Sequence, residues 1–173
     1  MNDMRVELER MVNETLNTLY DKDEYLIKHE PVDLSHGKDG HVSERSIVAR
    51  FAIYFQNLLY RHNGLMDYNL DVEYNRNLSK PKCLPNTKWK GNGAYPDLLI
   101  HKRGRNDGNI LIVEFKTHWN KCLSDVNDDI IKLQAFMEAP YFYMNALFIL
   151  LEKSNPQIHW VDGNTTGEVI LNG

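Results

Sequence analysis

The feature that most restricts the fold is a pair of neighbouring apolar runs, AYPDLLIHK at 94–102 and NILIVEFKT at 109–117. Each is short, rich in Leu, Ile or Val and bounded by turn-forming residues, so each reads as a strand. Asp107 and Gly108 between them are a turn signal, which makes the pair an antiparallel hairpin. The second run ends with Glu114 and Lys116 on one face, about 7 Å apart along the strand. Ionised groups are rarely buried without a partner or a metal, because lost hydration is expensive. Asp97, in the partner strand, can lie beside that pair. Two carboxylates held so close repel, and one is pushed toward protonation unless a cation sits between them. A hard divalent cation such as Mg²⁺ suits such oxygen ligands.

The other segments supply the frame. Leu8, Met11, Val12, Leu16, Leu19 and Tyr20 recur at helical spacing and predict a helix over 3–20. Residues 21–42 are polar, with Pro31, Gly37 and Gly40 breaking any period, and read as a linking loop. Ser43 is a candidate N-cap for a helix to about His62 that buries Ile47, Val48, Phe51, Ala52, Phe55, Leu58 and Leu59. Residues 68–76 alternate Leu70, Val72 and Tyr74 with polar neighbours, as a first strand does. Ser124 is a candidate cap for a helix over 124–138 carrying Val126, Ile130, Leu133, Phe136 and Met137, closed by Pro140. NALFILL at 145–151 is apolar on both faces, the pattern of a central strand. QIHWV and EVIL around Asp162 and Gly163 suggest a short terminal hairpin. The expected class is α/β, one mixed sheet between helices. The 173 residues suit a single domain, with an N-terminal helix and loop at 1–42, a core at 43–151 and the hairpin at 152–173.

Apolar residues make up 42% and charged residues 25% of the chain, the balance of a folded globular protein rather than a disordered one. No apolar run is long enough to span a bilayer, no signal-peptide pattern opens the chain, and there are two cysteines, Cys83 and Cys122. The expectation is a cytoplasmic protein with no membrane partner. His118 and Cys122 lack a second pair at zinc spacing, and neither GxxxxGK[ST] nor GxSxG occurs. The net charge of −4 argues against nucleic acid, but its distribution does not. Between 74 and 105 the one acid is Asp97, against eight basic residues.

Pro96 and Asp97, then sixteen hairpin residues, then Glu114, Phe115 and Lys116, resemble the PD-(D/E)XK nuclease superfamily, which includes restriction endonucleases, Holliday-junction resolvases and exonuclease domains. The resemblance implies a restriction endonuclease-like fold, with helix, three strands, helix and strand over 43–151. It implies that Asp97 and Glu114 bind Mg²⁺, or Mn²⁺ in its place, with help from the Phe115 carbonyl, and that Lys116 assists the attacking water. Glu44 matches a further acidic ligand, and Gln134 or Lys132 a supporting polar residue. The implied activity is metal-dependent hydrolysis of phosphodiesters, in DNA rather than RNA by the superfamily's habit.

Lys80, Lys82, Lys88, Trp89 and Lys90 precede the Asp97 strand, and Lys102, Arg103 and Arg105 follow it, as candidate phosphate and base contacts. Plainer alternatives stand beside these. Glu114 and Lys116 could pair on a solvated face, Glu44 could favour a helix dipole, Gln134 could be an ordinary helix residue, and Trp89 could anchor its loop. The rival function is an inactive nuclease-like module that binds nucleic acid or protein. The stripe at 8–20 is either a homodimer interface or a cover for the sheet.

Overall fold

The helical stripe near the N-terminus forms α1, Asp3–Lys22, in a computed structural model that describes residues 3–29, 41–85, 87–91 and 93–162. Its apolar face packs on α3, Glu44–Leu59, which buries Ile47, Val48, Phe51, Ala52, Phe55 and Leu59. Leu8, Met11, Val12, Leu16 and Leu19 are thus core residues of the chain itself, and the stripe is not a free dimer surface. Between them lies α2, Glu24–Lys28, anchored by buried Ile27, where the sequence suggested loop. Five residues are too few to display a helical period, which is why the pattern missed it. The remainder of that segment, 30–40, is outside the described residues.

One sheet of five strands carries the molecule: β1 (Asn69–Val72), β4 (Leu98–His101), β5 (Leu111–Thr117), β6 (Asn145–Leu151) and β7 (Gln157–Val161), in the spatial order β1-β4-β5-β6-β7. The expected hairpin is present, with Leu98 opposite Val113 and Ile100 opposite Leu111. β5 and β6 run parallel, Val113 opposite Leu147, and α4 (Leu123–Met137) makes the crossover such a pair requires. β6 is buried throughout, as its two-faced apolar sequence demands. QIHWV is β7, antiparallel to β6, and EVIL lies outside the described residues.

Several boundaries differ from the sequence reading. β1 stops at Val72, where Glu73 takes a left-handed backbone (φ 51°). The chain then forms a small ribbon, β2 (Arg76–Asn77) with β3 (Lys80–Pro81), turning at left-handed Leu78. The hairpin connection spans 102–110 and bends at Gly104 (φ 78°), so Asp107 and Gly108 do not make a tight two-residue turn. α3 ends at Leu59 rather than His62, and α4 has Cys122, not Ser124, in its cap position.

Strand alternation divides the core. Leu98, Ile100, Leu111, Val113 and Phe115 face α1 and α3, while Leu99, Ile112, Ala146, Phe148 and Leu150 face α4. Glu114 and Lys116 therefore fall on the α4 face, at the end of the strand that outruns β4.

Candidate active site

β4 pairs with β5 only as far as Val113, so the last residues of β5 lack a neighbouring strand on that edge. Two carboxylates replace it. The Phe115 N–H donates to Asp97 Oδ2 at 2.7 Å, and the Thr117 N–H donates to Glu44 Oε2 at 3.1 Å. A strand residue sends its N–H and C=O toward the same edge, so the Phe115 carbonyl leaves on the Asp97 side. Glu44, at the start of α3, is thus tied to the end of β5 across 73 residues of sequence.

The side chains of β5 meet α4. Glu114, 1% exposed, accepts an ion pair from Lys132 Nζ at 2.6 Å through Oε2. Glu114 Oε1 is buried with no hydrogen-bond partner among the described residues. Lys116 Nζ lies 2.7 Å from Asp129 Oδ2, and Lys132 Nζ lies 3.7 Å from Asp129 Oδ1. Lys132 also donates to the Tyr95 carbonyl at 3.3 Å, which ties α4 to the segment entering β4. Glu44, Asp97, Glu114, Lys116, Lys132 and Asp129 form one cluster.

Four acids and two ammonium groups leave that cluster with excess negative charge, and the shifts record it. Burial pushes the Glu44 carboxyl up to about 7, with Asp97 and Asp129 adding to the rise against the pull of Lys116. Burial raises Asp97 despite its hydrogen bond from Phe115. Glu114 is raised well above the usual carboxylate range, by burial and then by Asp97. Lys116 and Lys132 are raised as well: burial opposes their charge, but Asp129 for the first and Glu114 with Asp129 for the second outweigh it. Each of these groups holds its proton more tightly than in water, the acids chiefly because burial disfavours their charge and the lysines because carboxylates surround them.

The sequence missed Asp129. Its signal was there, since Asp129 falls in the buried stripe of Val126, Ile130, Leu133 and Phe136. A charge inside an apolar stripe implies a buried partner. Of the two α4 candidates, Lys132 carries the ion pair to Glu114. Gln134, half-buried, sits about 200° further round the helix.

The basic candidates separate in space. Lys82 is 2% exposed, donates to the carbonyls of Tyr74 (3.1 Å) and Arg76 (2.9 Å) and lies over the Tyr74 ring, so it is a structural residue rather than a phosphate contact. Burial lowers its pKa to about 8. Arg103 pairs with Asp71, Arg105 with Asp107, and Lys88 with Asp128. Lys102, Arg103 and Arg105 sit beyond the far end of β4, roughly 16 Å along the strand from Asp97. Sequence adjacency to Asp97 does not become closeness here, because a strand carries its two ends apart. Trp89 is half-buried against the α4-side core, 5.7 Å from Lys132 Nζ, so it anchors its loop beside the cluster. Lys80 and Lys90 are exposed, with no ion-pair partner among the described residues.

Which residues could hold a metal follows from this chemistry. The donors are hard oxygens, as Mg²⁺ prefers, and Glu114 Oε1 is a buried oxygen without a hydrogen-bond partner among the described residues. As the side chains stand, no group of three or more His, Cys, Asp or Glu is arranged to hold a metal ion among the described residues. Nor, among them, is any helix long and apolar enough to cross a membrane. Compared with family models, with curated proteins and with solved structures, the chain matches none.

Proposed function

We propose that this chain is a divalent-metal-dependent nuclease of the PD-(D/E)XK type that hydrolyses phosphodiesters of DNA. The observation that carries the reading is the enclosed charge imbalance at Asp97, Glu114, Glu44 and Asp129, with Glu114 Oε1 unsatisfied. The succession α3, β1, β4, β5, α4, β6 also supports it, being the superfamily's core order once the small ribbon is set aside. Asp97, Glu114 and the Phe115 carbonyl, with Glu44 beside them, would hold Mg²⁺ or Mn²⁺. The bound cation would neutralise the excess charge and act as a Lewis acid toward water and phosphate.

The protein groups have distinct tasks. Asp97 and Glu44 each keep one oxygen on a β5 amide, which fixes their orientation and leaves the other oxygen for the site. Lys132 holds Glu114 in place through Oε2. Lys116 keeps its proton, so its Nζ serves as a charged donor to negative charge developing on the phosphate rather than as a base.

The test is cleavage of supercoiled, linear and single-stranded DNA, and of RNA, in Mg²⁺ and Mn²⁺ by the wild type and by D97N. Asn retains the acceptor for the Phe115 N–H while removing the charge. Metal-dependent cutting that D97N loses while staying folded supports the reading; D97N cutting at the wild-type rate sinks it. A second reading, an inactive module that binds nucleic acid or protein, is favoured by Lys132 already occupying Glu114 and by the internal pairing of Lys88, Arg103 and Arg105. Salt-sensitive DNA binding in EDTA, with no turnover in either metal, would decide for it.

A further inference from the structure

Two clefts meet at Glu44. One, of about 220 Å³, lies between α3 and β1 and is lined by Asp97 and Tyr95. The other, of about 360 Å³, lies between residues 41–43 and the 3₁₀ turn His118–Asn120 that follows β5, and is lined by His41, Ser43, Thr117 and Trp119. An aromatic ring thus stands on each side of the acidic cluster. Tyr95 is 51% exposed on the first side. On the second side, His41 lies flat on Trp119, centroids 4.6 Å apart and planes within 4°, while the His118 ring meets Trp119 edge-on.

That second cleft also has unmet hydrogen-bonding capacity. Thr117 is fully buried, yet its Oγ1 has no partner among the described residues, and neither has His41 Nδ1. Buried polar groups in folded proteins are nearly always satisfied, so two beneath one cleft mark a place where a ligand or water completes them. Flat rings beside an unsatisfied hydroxyl and imidazole suit a planar group with polar edges. A nucleobase is such a group, and base–aromatic stacking tolerates any sequence. A base inside a duplex presents no free face, so the match is to unpaired nucleotides.

We propose that the Trp119–His41 cleft binds an unpaired nucleobase beside the acidic cluster of Glu44 and Asp97, with Tyr95 taking the nucleotide on the other side. This rests on the nuclease reading above and adds a substrate class: single-stranded nucleic acid, or a strand splayed at a junction or end. The chemistry shared by DNA and RNA is the base, and the probes separate the two.

The experiment measures binding of fluorescein-labelled (dT)₁₂, (rU)₁₂ and a hairpin duplex in EDTA by anisotropy, for wild type, W119A, W119F, Y95A and D97N, with melting curves for each. Cleavage of the same three probes is then followed in Mn²⁺. The expected result is that W119A weakens binding of single strands about tenfold, the scale of one lost stack, with the duplex little changed. W119F, which keeps a ring in place, should recover most of the affinity. D97N should cut nothing. If W119A and Y95A bind single strands as tightly as wild type, or if the wild type binds none, the base site is wrong, even where cutting is observed. If no protein cuts but W119F rescues what W119A loses, the nuclease reading fails and the base site stands. Should W119A unfold, W119F and Y95A still decide: equal losses on single strand and duplex overturn the inference.

Discussion

Replacing Lys132 by Met removes the cation paired with Glu114 while keeping the length and apolar stem of the side chain. The pair is 2.6 Å apart with side-chain exposures of 9% and 1%, so water cannot substitute for the lost partner. At that separation and an effective dielectric of about 20, the attraction is about 6 kcal/mol, part of which offsets the desolvation of both groups. Stranding one member of a buried pair costs about 3–5 kcal/mol. The hydrogen bond to the Tyr95 carbonyl is lost as well, and burial of the Met stem returns part of that. We therefore expect K132M to lose about 4 kcal/mol at neutral pH. For a chain of this size that lowers the Tm by about 8–16 °C.

The pH dependence has a definite sign. Glu114 is already raised well above its ordinary value, by burial first and by Asp97 next, and loss of Lys132 raises it further. A carboxyl with a raised folded pKa contributes stability below its unfolded pKa and loses it as pH rises through the folded one. The K132M deficit is thus greatest at neutral pH and shrinks toward about pH 4. Urea denaturation across pH measures it, with E114Q/K132M alongside to remove the stranded charge. A K132M deficit below about 1 kcal/mol at pH 7, or a double variant no more stable than the single, would refute the buried pair as the organiser of this site.

Other outcomes can be checked directly. Mg²⁺ should raise the Tm more at pH 8 than at pH 5.5, because the raised Glu44, Asp97 and Glu114 exchange protons for metal; at a hundred times Kd the gain is about 2.7 kcal/mol, and E114Q should forfeit it. D97N should melt close to wild type, whereas D97A, which orphans the Phe115 N–H, should lose about 1–3 kcal/mol in the same scan. Lys82 titrates near 8 when folded, so the fold disfavours its charged form; the stability of the wild type relative to K82M should rise between about pH 8 and 10.5, by up to about 3 kcal/mol in urea titrations. K90A should reduce the log–log salt slope of single-strand binding by about 0.7, while K102A, beyond the far end of β4, should leave it unchanged.

Much of this was legible in order and kind. The β4–β5 hairpin, the two-faced β6 and the stripes of α1, α3 and α4 follow from period and length alone, because burial imposes both. The sequence singles out Glu44, Asp97, Glu114 and Lys116, and the fold brings them together. What escaped was of two kinds. Short elements such as α2 and the β2–β3 ribbon have too few residues to show a period. Long-range neutralisation was invisible too: nothing local says that Lys82 turns inward to carbonyls, or that Arg103 answers Asp71. Eight basic residues in one stretch looked like a surface field, and the fold satisfies several of them internally.

The ladder that ends in carboxylates makes two backbone amides into reporters. The Phe115 and Thr117 N–H groups are held by Asp97 and Glu44 rather than by a strand, so their protection depends on side-chain charge. A proton or a cation arriving at either acid weakens its grip on the amide. The protection factors of these two amides, which correct for the slower intrinsic exchange in acid, should therefore fall on acidification while their neighbours in the paired part of β5 keep theirs. The backbone itself would then read out the occupancy of the site, with no substrate required.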